Sequence, residues 1–279
     1  MKVTGDIKQI RAIRWQDPAI TWGLVPTMGY LHEGHLSLVR RALAENDRVM
    51  VTIYVNPTQF APTEDLSSYP RDLERDMSLL QELGTDVVFT PSDDVMYPEG
   101  FQTVVNVEEV TKVLEGASRP THFQGVATIV AKLFNIAQPT RAYFGQKDYQ
   151  QTAVLRRMVT DLNFDLDLIV CPIVREQDGL ALSSRNKYLS TEQRQAAILL
   201  QRSLTAGVAA VEVGERDAAQ IRQLVGNRIT AEPLARLDYF SVADPDTLVE
   251  LDVIGEKALL SMAVFFGKTR LIDNILWSG

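Results

Sequence analysis

The chain has 279 residues, 46% hydrophobic and 23% charged, enough apolar material to bury a full core in one large domain or two smaller ones. A formal net charge of −8 excludes a nucleic-acid surface spread over the protein and confines any positive site to a local pocket. No apolar run reaches the ~20 residues of a membrane helix, the opening residues lack a signal-peptide core, and the single Cys171 excludes an internal disulfide or a cysteine metal cluster. A cytoplasmic protein is expected, with neither membrane nor nucleic acid as partner.

In chain order, β-compatible runs at 22–25, 48–55, 86–90, 141–144 and 166–171 alternate with amphipathic helical stretches at 34–44, 71–83, 123–137 and 149–162. That alternation predicts an α/β domain over residues 1–174, a Rossmann-like parallel sheet with crossover helices. Beyond it the texture changes. Residues 191–211 and 217–229 read as helices rich in Ala, Gln and Arg, followed by strands at 237–242, 257–266 and 270–277. Residues 175–279 are therefore expected to form a smaller α+β domain that closes over the first. In open α/β sheets ligands bind beyond the carboxyl ends of the strands, so motifs at strand exits carry the search for function.

The first such motif runs Pro26-Thr27-Met28-Gly29-Tyr30-Leu31-His32-Glu33-Gly34-His35 and holds two of the three histidines where a strand meets a helix. A helix N-terminus has unpaired N–H groups and a positive dipole end, which suits a nucleotide phosphate. Histidines three apart with an intervening glycine do not match the i, i+4 spacing of a zinc helix. A plain glycine turn with capping histidines is the alternative.

Val55-Asn56-Pro57-Thr58-Gln59 and Gly145-Gln146-Lys147-Asp148-Tyr149-Gln150-Gln151 follow two further strands. Gln59 and Gln151 are suited to hydrogen bonds with a hydroxy acid, or else bond loop backbone. Lys147 is a point charge for phosphate oxygens, and Asp148 either accepts from a ribose hydroxyl or caps the helix that follows. Leu182-Ser183-Ser184-Arg185 offers two hydroxyls and a guanidinium on a polar segment able to fold over a triphosphate. His122 sits in a Gly- and Pro-rich loop over 114–126, and Asp76, in the first turn of a helix, is the candidate magnesium contact.

Taken together and in order, the motifs at 26–35, 55–60, 69–71, 114–126, 144–151 and 174–189 resemble the pantoate–β-alanine ligase family. Residues 191–279 contribute little to that likeness. The resemblance implies a nucleotidylyltransferase-type fold, a homodimer, and ATP with Mg2+ used to join pantoate to β-alanine through a pantoyl adenylate, giving pantothenate, AMP and pyrophosphate. It also implies site residues: Met28 to His35, Gly145 to Asp148, Val174 and Leu182 to Arg185 for ATP, with Val174 near the adenine and Gln59 and Gln151 for pantoate and β-alanine. His35 and His32, with Lys147 and Arg185, are the implied catalytic set. Tyr30, Gln146 and Leu182 fall where some members carry other residues.

Overall fold

The protein is described by a computed structural model covering residues 1–60, 66–67 and 69–279. The chain divides into two compact units, Met1–Gly145 with Val154–Cys171, and Gln146–Ala153 with Pro172–Gly279.

In chain order the structure begins with β1 (Lys2–Thr4), α1 (Ile7–Arg14), β2 (Trp22–Thr27), α2 (Glu33–Glu45), β3 (Arg48–Ile53), α3 (Leu73–Leu83) and β4 (Val87–Phe89). Two single turns, α4 (Asp93–Met96) and α5 (Glu115–Ser118), precede α6 (His122–Ala137), β5 (Arg141–Gly145), α7 (Tyr149–Asp161) and β6 (Asp167–Cys171). The six strands form one sheet in the order β1-β4-β3-β2-β5-β6, and every pairing is parallel. Such a sheet is covered on both faces, which is why β2, β3 and β4 are buried almost without interruption instead of alternating.

The strand order reverses between β2 and β5, the topological switch point of a doubly wound sheet. Pairing there is short. β2 pairs β3 along all six residues from Trp22↔Arg48 to Thr27↔Ile53, whereas its ladder with β5 runs only through Gly23↔Arg141 and Leu24↔Ala142. The two strands thus reach their carboxyl ends unladdered, at the crevice where such folds take ligands. Packed below, α2 buries Leu36, Leu38, Val39 and Ala42 against Val25, Val49, Val51 and Tyr143. Cys171 belongs to the same cluster, and burial pushes its thiol pKa up.

Besides the single turns α4 and α5, two elements of this unit, β1 and α1, have no counterpart among the sequence expectations. β1 buries only Thr4 of its three residues, too little for a pattern, and α1 carries Ile7, Ile10 and Ile13 three apart in a helix of only eight residues, of which Ile10 alone among them is fully buried. The helix expected from residue 71 starts at Leu73 because Asp72 caps it, its side chain accepting from the Arg75 N–H at 3.2 Å. It stops at Gly84, which takes the left-handed conformation common after a helix.

The second unit contains α8 (Thr191–Ala196), α9 (Leu199–Glu212), α10 (Ala218–Thr230), β7 (Ala235–Ala243), β8 (Lys257–Phe266) and β9 (Thr269–Ser278). Its three strands form an antiparallel sheet, β7-β8-β9. Leu204, Ile221, Val225, Leu260 and Val264 are fully buried together, joining the helices to the sheet. The single helix expected over 191–211 is broken after Ala196. Leu200 N–H bonds the Ala197 carbonyl three residues back at 3.2 Å, which tightens the turn and lets α8 and α9 part.

Candidate active site

After β2 the chain must leave the sheet and enter α2 within five residues, and each backbone donor it exposes needs a partner. The Thr27 hydroxyl donates to the Thr52 carbonyl at 2.7 Å and accepts from Gly29 N–H at 3.2 Å. Gly29 and Tyr30 then both adopt positive φ, 78° and 51°. Glycine takes that conformation freely, and a Cβ at residue 29 would also stand 2.9 Å from Ile53 Cγ2. Tyr30 has no such freedom, and the left-handed conformation costs it about 1 kcal/mol.

Asp76 holds the turn in place. Its carboxylate is 1% exposed and accepts Tyr30 N–H at 2.7 Å through one oxygen and Leu31 N–H at 2.8 Å through the other. Arg75 adds a guanidinium bond to the Leu31 carbonyl at 2.9 Å. Leu31 itself is buried, so the loop is anchored by packing as well as by charge. The magnesium expectation for Asp76 therefore meets a carboxylate already engaged through both oxygens.

His32 is the N-cap of α2, and its Nδ1 accepts Gly34 N–H at 3.2 Å. His35 returns the bond, its Nδ1 accepting His32 N–H at 3.3 Å, so the two imidazoles form a reciprocal cap with ring centroids 4.1 Å apart. Both Nδ1 atoms act as acceptors, which places the proton of each neutral ring on Nε2. Each histidine is thus set as an Nε2–H donor at the positive end of a helix. Glu33, also in this turn, is engaged by Arg40, whose hydrogen bonds hold its carboxyl below the usual range.

Gln59 ends a short 3-10 turn after β3. Asn56, 1% exposed, accepts hydrogen bonds on Oδ1 from the Tyr97 hydroxyl at 2.8 Å and the Thr58 hydroxyl at 3.0 Å. Its Nδ2 therefore donates, to Gly125 O at 3.1 Å and to Gln59 Oε1 at 3.2 Å. With the carbonyl end taken, Gln59 presents its amide nitrogen, 2.9 Å from the sulfur of Met28. Met28 and Gln59 are thereby brought together from two motifs 31 residues apart. His122 Nδ1 lies 2.9 Å from the Gln59 carbonyl oxygen, giving that loop histidine a structural partner. Asn56 and Tyr97 orient Gln59 and carry no sequence signal beyond a polar residue near a strand exit.

Gly145 closes β5, and a Cβ there would meet nothing within 4 Å, so packing does not demand glycine at that position. Gln146, Lys147 and Asp148 form a 3-10 turn leading into α7, and Gln151 lies half-buried in the first turn of that helix. In the second unit, Val174 and Leu182 are joined by Leu182 N–H to Val174 O at 3.0 Å. Ser183 caps the 3-10 helix Ser184–Tyr188 by accepting Arg185 N–H at 3.2 Å, and the Arg185 side chain is exposed. Asn186 ties this turn to Glu176 at 3.0 Å, and Glu176 in turn accepts from Arg194 at 2.7 Å.

A doubly wound parallel sheet whose β2 loop feeds a phosphate-suited helix start defines a nucleotide-handling α/β enzyme. The chain belongs to the pantoate–β-alanine ligase family, whose model matches residues 2–276. It is 58% identical to a pantothenate synthetase of Roseiflexus castenholzii over 276 residues, 99% of either chain, and 58% identical to one of Moorella thermoacetica over 254 residues, 91% of this chain and 90% of the relative. Among solved structures, the pantothenate synthetase of Thermus thermophilus superposes with a TM-score of 0.93 at 49% identity, covering 99% of both chains. A Francisella tularensis pantoate-β-alanine ligase, solved in complex with β-γ ATP and β-alanine, matches at a TM-score of 0.79 and 36% identity, covering 99% of this chain and 97% of that one.

The clamp on the β2 loop has a measurable consequence. Asp76→Asn removes one acceptor and turns an amide donor toward a buried N–H, which is expected to lower stability by about 1–3 kcal/mol. Urea melts with an unchanged m value check it; an unaltered midpoint would mean the loop does not depend on the carboxylate.

Proposed function

We propose that this ligase joins pantoate to β-alanine in two steps, with a pantoyl adenylate formed and consumed on the protein. In the first, a pantoate carboxylate oxygen attacks the α-phosphorus of ATP, the bond to the β-phosphate breaks, and pyrophosphate leaves. In the second, the neutral amine of β-alanine attacks the activated carbonyl, AMP departs with the former carboxylate oxygen, and the nitrogen loses a proton. Pantothenate is the product.

Both nucleophiles belong to the substrates, so the protein's task is to align them and to stabilise charge on phosphate oxygens. The observation that carries this reading is the reciprocal histidine cap, which directs two Nε2–H donors from the N-terminus of α2. His32 and His35 act here as neutral hydrogen-bond donors to the reacting phosphate, with no proton transfer required. Lys147 and Arg185 supply positive charge to the triphosphate, the Met28 to His35 and Gly145 to Asp148 segments line it, and Val174 with Leu182 to Ser184 completes the nucleotide contacts. The open space over the Gly145 Cα supports close approach of a ligand to the backbone. Gln59, whose amide nitrogen lies beside the Met28 sulfur, donates to carboxylate or hydroxyl oxygens of pantoate and β-alanine, and Gln151 serves pantoate.

Magnesium accompanies ATP in the same reading. The side chains do not fit a protein-held ion: Asp76 spends both oxygens on backbone N–H groups, and no group of three or more His, Cys, Asp or Glu among the described residues is placed to hold a metal. Mg2+ chelated by the phosphates themselves needs no such cage. A homodimer also belongs to this reading, expected in light scattering as twice the 31.2 kDa chain mass; a particle of single-chain mass at micromolar concentration would count against it. A cytoplasmic location belongs to the same reading; among the described residues no helix is long and apolar enough to cross a membrane.

His35→Ala is expected to slow single-turnover adenylation by about 10²- to 10³-fold while pantoate binding changes little. Intact adenylation in that variant would sink the electrostatic role. For Gln59→Ala the expected result is a rise of about tenfold or more in the KM of both pantoate and β-alanine, the loss of one directed hydrogen bond to a charged group. Steady-state kinetics with each substrate varied in turn give the answer, and unchanged KM values would remove Gln59 from the substrate contacts.

A further inference from the structure

The turn that carries Lys147 is fastened by a residue 127 positions further along the chain. Gln146–Asp148 is a single turn of 3-10 helix, a form with poor internal hydrogen bonds. Asn274, in β9, supplies what the turn lacks. Its Nδ2 donates to the Gln146 and Lys147 carbonyls at 3.0 Å each, and its Oδ1 accepts from Gln146 Nε2 at 3.2 Å. The side chain is 3% exposed, so water does not compete for these three bonds.

Asn274 is itself held. Its backbone N–H donates to Asp273 Oδ1 at 2.8 Å, and the buried Asp273 carboxylate takes both prongs of the Arg175 guanidinium at 2.6 and 2.9 Å. A bidentate pair of this kind fixes direction as well as distance. Arg175 donates further to the Gly179 carbonyl at 3.0 Å. All of these residues lie in one compact unit.

We infer that Asn274 is a positioning residue for adenylation, setting the backbone from which the Lys147 ammonium reaches the ATP phosphates. It rests on the reading of Lys147 given above. An asparagine that merely stabilised β9 would also be buried and bonded, but it would have no reason to spend both donors on the two carbonyls flanking the lysine.

The test compares the unmodified protein, Lys147→Met, Asn274→Asp and the double variant by pantoate-dependent pyrophosphate exchange, with melting temperature recorded for each. Asn274→Asp keeps the shape and one acceptor but sets a carboxylate oxygen against two carbonyls. Lys147→Met is expected to lower exchange about 10²-fold. Asn274→Asp should lower it about tenfold or more, with the KM of ATP rising and that of pantoate unmoved, since small misplacements of a charged group are costly. In the double variant the asparagine change should add less than about twofold, because its effect acts through the lysine.

An equal penalty from Asn274→Asp in both backgrounds, or a lowered melting temperature with unaltered ATP kinetics, overturns the inference and leaves Lys147 in place. No effect of Lys147→Met would instead remove the lysine from the reaction and the inference with it. Should Asn274→Asp not fold, Asn274→Ser, which keeps one donor, is expected to show a smaller ATP-specific loss and is judged by the same cycle.

Discussion

Two backbone N–H groups, on Tyr30 and Leu31, lie beyond the end of the β2 ladder, and both donate to the side chain of Asp76. One buried carboxylate answers both. An unpaired buried N–H costs on the order of 1–3 kcal/mol, so the turn and Asp76 stand or fall together. Asp76 reaches that point because its own N–H closes the first turn of α3 on Asp72 O at 3.0 Å, itself the capping residue. The start of α3 thus dictates the path of the β2 loop, and the path of that loop dictates where α2 begins.

Downstream of that constraint, His32, His35 and Gln59 share one manner of orientation. Each has one end tied to backbone or to a buried amide, which decides what the other end offers. The two histidines accept at Nδ1 and so donate at Nε2; Gln59 accepts at Oε1 from Asn56 and so donates at Nε2. Donors fixed in this way need no rearrangement as charge develops on a phosphate, which is where electrostatic catalysis gains most. An acidic chain can bind a polyanion by these means because helix ends and oriented N–H groups act over a few ångströms while net charge is screened by salt.

The parallel sheet and the exits of β2, β3 and β5 were legible in the sequence because their signals are local: apolar runs of strand length, then Gly, Pro and His in fixed order. The β7-β8-β9 sheet was legible for the same reason. What escaped was whatever depends on a distant partner. Asn56 reads as one more polar loop residue until Tyr97 and Gly125 are placed beside it, 41 and 69 positions away. Asp76 reads as an acidic first-turn residue, equally suited to a metal or a helix dipole, until the folded loop presents it with two N–H groups. Asn274 lies in a strand whose β pattern was plain and whose polar contacts were not. β1 escaped for the opposite reason, since three residues with one buried side chain carry too little pattern to register.

The bonds from Asn274 to the Gln146–Lys147 turn span 127 and 128 positions. At a synthesis rate of about 5–20 residues per second, many seconds separate the emergence of the lysine from that of the asparagine that fastens it. Throughout that interval the nascent chain already holds every residue of the β2 loop, the histidine cap and parallel strands β1 to β5, yet its lysine turn lacks an anchor. A shortened translation product ending within β9 would keep nearly all the sequence motifs by which the protein is recognised and lose the geometry of one of them. The backbone of the lysine turn is therefore fastened late, by a strand whose own sequence advertises nothing of that contact.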